Sequence, residues 1–210
     1  MKLYGHFISP PANQVRLTAS AININHEYCH VDLASGEQKS PTFLKINPHG
    51  KVPAMDDGGF SLGESGAICR YMSNKQETKL YPTEIKARGE IDQWMDYSAH
   101  HIRTNLVKML FNKVVGPMLG APTSAEAIEE GRGFLNDLLP AADAAIEKNG
   151  FVAGKTLSIA DTALLSNIEP LGTLGYDLSA HKNIEDWLGR LMSEAWYKKV
   201  HSHYMAEAQG

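Results

Sequence analysis

Three short stretches carry residue types that could do chemistry. In NPHGKVPAM (47–55), Pro53 stands where a glycine-lysine-valine run otherwise leads into a strand. Proline gives no N–H to a ladder. The backbone at Val52–Pro53 therefore either marks a strand edge or leaves a peptide open to a partner. In LGESGAICRYM, Glu64 and Ser65 open a helical pattern. The free N–H groups and positive dipole end of a helix start favour an anion, although Ser and Glu there suit plain capping equally well. In SPPANQVRL, Ser9 precedes two prolines. Proline suits a first helical turn, which makes Ser9 an N-cap with its hydroxyl beside that turn. No metal is expected. His100 and His101, being adjacent, point to different sides of a helix, no HExxH occurs, and His201 and His203 read as solvated.

Those residues need elements to position them. KLYGHFI (2–8) is rich in strand formers, and HEYCHVDL (26–33) alternates like a second strand. SPPANQVRLTASAI between them reads as a helix, and SPTFLKI (40–46) as a short one opened by Ser-Pro. VPAMDDGGFSL places Asp57-Gly58-Gly59 between two strand-like pieces, a hairpin signal. With ESGAICRYMSNK as the closing helix, the order is β-α-β-α-β-β-α, a compact α/β unit on a mixed four-stranded sheet. After about residue 80 strand signals fade. The stretch 85–115 reads as one long helix, Gly116-Pro117 and Ala121-Pro122 punctuate it, and 123–149 gives another. At LSIAD, Ser158 and Asp161 have capping-box spacing and a structural role. Two last helices follow in HKNIEDWLGRLMSE and AWYKKVHSHYMAE. The expected division is an α/β domain over 1–78 and an all-helical domain over 85–210.

The bulk numbers exclude several classes. A chain of 210 residues with a formal charge of -4 has no general attraction to nucleic acid. No apolar run is long enough for a membrane span, and residues 1–9 lack the apolar core of a secretory signal. Cys29 and Cys69 alone do not make a disulfide framework, so two reduced thiols in a cytoplasmic protein are expected.

Taken together, NPHGKVPAM, LGESGAICRYM and LSIADTALL resemble the cytosolic glutathione S-transferases over essentially the whole chain, and SPPANQVRL is similar to the N-terminal motif of their theta and epsilon classes. The resemblance implies a thioredoxin-like first domain and an all-helical second one. It implies a cis Val52–Pro53 bond, although only about 5% of X-Pro bonds are cis, with the Val52 backbone pairing with the peptide of glutathione as an added strand would.

Further roles come with the resemblance. The γ-glutamyl carboxylate would lie at Glu64 and Ser65. Gln38 and Lys51 match theta-type contacts to the glycine carboxylate, with Lys39 and His49 close enough to compete. Epsilon members usually carry a histidine where Gly50 stands. Ser9 would be the catalytic residue, donating to the glutathione thiolate, which is the nucleophile. Amide groups near Pro11–Asn13 would add to the effect, and Asn13 and Tyr4 are the other hydroxyl or amide groups that might contact the sulfur. The electrophile would meet Pro11, Tyr97, His101, Asn105 and Trp196, with Tyr204 nearby. The implied activity is conjugation of glutathione, the co-substrate, to small hydrophobic electrophiles by a two-fold homodimer. The alternatives are a non-catalytic ligand- or protein-binding module, or a glutathione-dependent isomerase or peroxidase.

Overall fold

The structure is a computed structural model that describes residues 1–207, with side chains described through Ser202. The chain forms two compact units, one made of residues 1–82 with the segment from Met192 onward, the other of residues 83–191. The first unit opens with β1 (Lys2–Gly5), α1 (Pro10–Ala21) and β2 (Glu27–His30), then a 3₁₀ turn at Glu37–Lys39 and α2 (Pro41–Leu44). The hairpin β3 (Ala54–Asp57) and β4 (Phe60–Gly63) turns at Gly58-Gly59, both at positive φ, and α3 (Ser65–Lys75) closes the unit.

The sheet order is β2-β1-β3-β4. β1 runs parallel to β2 and antiparallel to β3, which is antiparallel to β4. Side chains alternate across a strand, so the paired Leu3 and Met55 lie on the face opposite the paired Tyr4 and Ala54. Leu3 and Met55 are buried, as are Val15 and Leu17 of α1 and Ile68 and Met72 of α3, which packs on α1 and on the hairpin. On the other face Val31, Phe43 and Ala54 form a core with Tyr4, Leu33, Ile46 and Val52. Two layers of helix thus sandwich one mixed sheet.

The last helix, α10 (Ala195–Glu207), falls in this unit and not in a separate helical domain beginning at residue 85. Its Tyr197 and Val200 are buried, it packs on α1, and its Trp196 carbonyl accepts from Ser20 Oγ at 2.8 Å. Periodicity places a helix but does not say which neighbour covers it.

In the second unit the long helical stretch is α4 (Ile85–Tyr97), a π turn at Ser98–Ile102, α5 (Arg103–Leu110), a second π turn at Phe111–Val115 and α6 (Gly116–Met118). The first π turn has a clear partner. Asn167 Nδ2 donates to the Ser98 carbonyl at 3.3 Å and to Ser98 Oγ at 2.8 Å, while Arg103 Nε donates to Asn167 Oδ1 at 3.2 Å. The side chain thus satisfies a widened backbone ladder, as π bulges require. Next come α7 (Ala125–Asn149), α8 (Ile159–Thr173) and α9 (Lys182–Ser193). α5 approaches α7 closely because position 131 is glycine; a Cβ there would lie 2.8 Å from the Asn105 carbonyl oxygen. α8 is buried almost all round, as a central helix must be. No helix among the described residues is long and apolar enough to cross a membrane.

The capping box expected at LSIAD is present. Asp161, fully buried, accepts from four donors: the Val152 N–H at 3.0 Å, the Ser158 N–H at 2.9 Å, the Ser158 hydroxyl at 2.8 Å and the Trp187 indole N–H at 3.2 Å. Burial pushes its carboxyl upward, and the four donors act against that. One carboxylate therefore ties the start of α8 to the preceding loop and to α9. Asp161→Ala strands four buried donors and is expected to lower stability by about 3–5 kcal/mol. Asp161→Asn keeps one acceptor oxygen and should lose less. Urea unfolding of the two variants checks the order.

Candidate functional site

Because β3 runs against its neighbours, the start of β3 lies at the same end of the sheet as the ends of β1 and β4. The ladder stops at Tyr4↔Ala54 and Ala54↔Gly63. One step further, the register sets Pro53 against Glu64 and Val52 against Ser65. The three stretches singled out in the sequence thus converge on one end of one sheet.

The Ser9 loop is tightly held. Ser9 is the N-cap of α1, and its Oγ accepts from the Ala12 N–H at 3.4 Å. Pro10 and Pro11 have no N–H, and the Asn13 N–H donates to the Ser9 carbonyl at 2.9 Å. The expected help from amides near Pro11–Asn13 is therefore not there: this turn either lacks those donors or uses them on Ser9 itself. Asn13 Nδ2 donates to the Phe7 carbonyl at 2.7 Å, and His6 Nδ1 accepts from the Ile8 N–H at 3.1 Å. Both bonds shape the loop that carries Ser9. Since the Ser9 oxygen is an acceptor in the cap, the hydroxyl proton is what it has to donate. Tyr4 packs edge-on against Phe43 on the α2 face, and burial pushes its hydroxyl up, keeping it protonated.

Val52–Pro53 is cis. The loop before it is built by Asn47, a residue that sequence reasoning missed. Asn47, buried, donates from Nδ2 to the Lys51 carbonyl at 2.7 Å, accepts at Oδ1 from the His49 N–H at 3.1 Å, and accepts at its carbonyl from Gly50 at 2.9 Å. The signal for it was its place at the head of an Asn-Pro turn. Gly63 leaves room for it, since a Cβ there would come within 3.3 Å of the Asn47 amide.

Lys39 Nζ donates to the His49 carbonyl at 3.4 Å, which brings the Gln38–Lys39 turn against His49–Gly50. Gly50 has φ +59°, and a Cβ there would lie 2.9 Å from the Gln38 carbonyl oxygen. A histidine, usual in epsilon members at this place, does not fit, and this chain has its histidine at 49 instead. Gln38 Oε1 is buried with no hydrogen-bond partner among the described residues. Lys39, His49 and Lys51 are exposed.

Glu64 takes φ 62° and ψ 117°. Such a backbone costs a non-glycine residue about 1–3 kcal/mol and persists where the surroundings enforce it. As N-cap it gives α3 no side-chain cap bond, so the plain-capping reading of Glu64-Ser65 does not hold. Ser65 Oγ donates to Gln14 Oε1 at 2.8 Å, and both residues are buried. This bond ties the start of α3 to α1, a link that sequence spacing did not reveal.

Comparison with known proteins decides what this arrangement belongs to. Family models for the glutathione S-transferase N-terminal domain and C-terminal domain match residues 1–74 and 106–195. Glutathione S-transferase F10 of Arabidopsis thaliana is 33% identical over 187 residues, covering 86% of this chain and 87% of that protein. Human glutathione S-transferase theta-2 is 32% identical, covering 91% of this chain and 80% of that one. The chain belongs to the glutathione S-transferase family. A solved structure of glutathione S-transferase I from maize, in complex with an atrazine glutathione conjugate, superposes with a TM-score of 0.88 at 29% identity, over 97% of each chain.

In this glutathione S-transferase the residues expected to meet an electrophile fall in two groups. Pro11 and Trp196 belong to the first unit, Trp196 half-buried beside Tyr197. Tyr97, His101 and Asn105 belong to the second. There the Tyr97 hydroxyl donates to the Leu138 carbonyl at 3.0 Å, Asn105 Nδ2 donates to the His101 carbonyl at 2.9 Å, and the Tyr97 and His101 rings lie 5.1 Å apart. The polar atoms of Tyr97 and Asn105 are thus engaged within the helices. The Tyr204 side chain lies outside the described residues. No group of three or more potential metal ligands occurs among the described residues. The loop geometry can be tested apart from any reaction. Gly50→Ala is expected to cost more stability than Gly36→Ala. Both positions have positive φ, but the Cβ at Gly36 would meet nothing within 4 Å. Backbone strain alone is about 1–2 kcal/mol at each, and the collision at 50 adds to it, as thermal unfolding of the pair would show.

Proposed function

We propose that this transferase joins the sulfur of glutathione to an electrophilic carbon of a small hydrophobic compound, with Ser9 holding the thiolate. The observation that carries the reading is the state of the Ser9 hydroxyl: its oxygen accepts from Ala12, so its proton is the group directed elsewhere. Glutathione would lie extended against the Val52 backbone, beyond the ladder of β3. Its γ-glutamyl carboxylate would sit at the start of α3, where Glu64 supplies no side-chain cap. Gln38 Oε1, buried and lacking a partner among the described residues, would accept a peptide N–H of the same ligand. Lys39, Lys51 and His49 would supply cations or donors to the glycine carboxylate. The solved relative holding an atrazine glutathione conjugate supports a conjugating reaction. Cytoplasmic location and a homodimer complete the proposal and rest on the family.

In the step itself the glutathione thiol gives its proton to solvent, the sulfur attacks carbon, a carbon–sulfur bond forms, and a halide or other anion leaves. Holding the two reactants together supplies much of the acceleration. A hydrogen bond to a charged group is worth about 1.5–3 kcal/mol, which corresponds to roughly one to two units of thiol pKa. Ser9→Ala should therefore raise the pH at which bound glutathione ionises by that amount. At neutral pH it should cut kcat/KM by about ten- to a hundredfold, with a helix-cap loss of about 1 kcal/mol in stability. The pH profile with a generic aryl halide and the ultraviolet thiolate absorbance read the effect. A variant with an unchanged pH profile refutes the role of Ser9.

A further inference from the structure

At the other end of α1 lies a cavity of about 360 Å³, lined by α1, the 22–26 loop, the start of β2 and α10. All of it belongs to the first unit. Its polar lining is basic. Arg16 is buried and stacks over the Tyr28 ring, with 3.9 Å from guanidinium carbon to ring centroid. Lys199 comes from α10, and His26 from the loop. Ala19, Ile24 and Val200 supply an apolar wall. Glu27 does not neutralise the group, because it pairs with Lys2 and accepts from Cys29, both on the strand face opposite Tyr28.

From this we infer a second ligand site, for a small organic anion with a phosphate or carboxylate head on a compact apolar body. Arg16 and Lys199 supply the charge, and the Tyr28 ring, Ile24 and Val200 the apolar contact. His26 is the third donor: its Nδ1 lies 2.9 Å from the Ile24 carbonyl and donates to it, which leaves Nε2 as the nitrogen that titrates. The groups that act on His26 are Arg16, Lys199 and the amino terminus, all cationic. Burial first, then those charges, hold the imidazolium down, against the Ile24 bond that favours it. A bound anion reverses the sign of the field. The volume is within the roughly 300–1,000 Å³ usual for small-molecule sites.

The test is calorimetry on the full chain in saturating glutathione, with phenyl phosphate, benzoate and neutral phenol as probes. Phenyl phosphate or benzoate should bind with one-to-one stoichiometry, whichever head is preferred, and phenol should bind at least about tenfold more weakly. Lys199→Met and His26→Gln should each weaken the anion about tenfold without changing transferase activity. The His26 imidazole, followed by NMR, should titrate at higher pH when the anion is present. Absence of heat with both anions, displacement by glutathione, or unchanged affinity in both variants overturns the site.

Discussion

The antiparallel run of β3 is the constraint on which the candidate site depends. A parallel β3 would start at the far end of the sheet, and its Val52–Pro53 peptide would be separated from Ser9 and from the start of α3 by the length of the strands. Running against β1 and β4, it begins where they end. That end also receives the N-termini of α1 and α3, since each helix follows directly on a strand. Two positive dipole ends and one unladdered peptide are thereby gathered by pairing alone.

What this gathering offers chemically is narrower than a list of helix starts suggests. At α1 the prolines remove two donors, and the Ser9 hydroxyl and carbonyl absorb the next two. The turn presents one hydroxyl proton, not a nest of amides. At α3 the opposite holds: Glu64 is held at positive φ and gives the helix no side-chain cap. Strain retained at a helix start left without such a cap is the pattern expected where the surroundings hold a residue for a ligand. The Ser65–Gln14 bond ties the two helix starts together, so a shift at one is felt at the other.

Much of this was legible before any coordinates. Alternation and turn residues placed the four strands and the Gly58-Gly59 hairpin, and Ser158 with Asp161 disclosed a buried cap, because each depends on neighbours within a few residues in sequence. Bonds between distant residues left no such trace. Gln14 is an ordinary helix residue until Ser65 is set beside it, fifty-one positions away. Asn47 looked like a turn former, yet it holds Lys51 and His49 in place. The π turns at 98–102 and 111–115 were invisible for the same reason: Asn167, which satisfies the first, lies sixty-nine residues from Ser98. α10 was read correctly as a helix and placed with the wrong neighbours, since an amphipathic pattern records a buried face without recording what buries it.

The basic cavity at the far end of α1 raises a rival physical account, that its cations complement the negative end of the helix dipole. A helix end carries about half an elementary charge, and the benefit fades within a turn. Arg16 sits inside the helix, not in its last turn, and the cap at Ile22 already satisfies carbonyls of that turn through its own N–H. Lys199 arrives from another helix and His26 from beyond the loop. Together these groups exceed what the dipole balances. Like charges brought together around a partly buried imidazole repel, and the depressed imidazolium of His26 records that repulsion on top of its burial. A chain of net charge -4 has acidic residues enough to neutralise such a cluster, yet Glu27, the carboxylate next to His26 in the chain, pairs with Lys2 on the opposite strand face. Unneutralised positive charge beside an apolar wall is a cost to the empty protein that an anion removes.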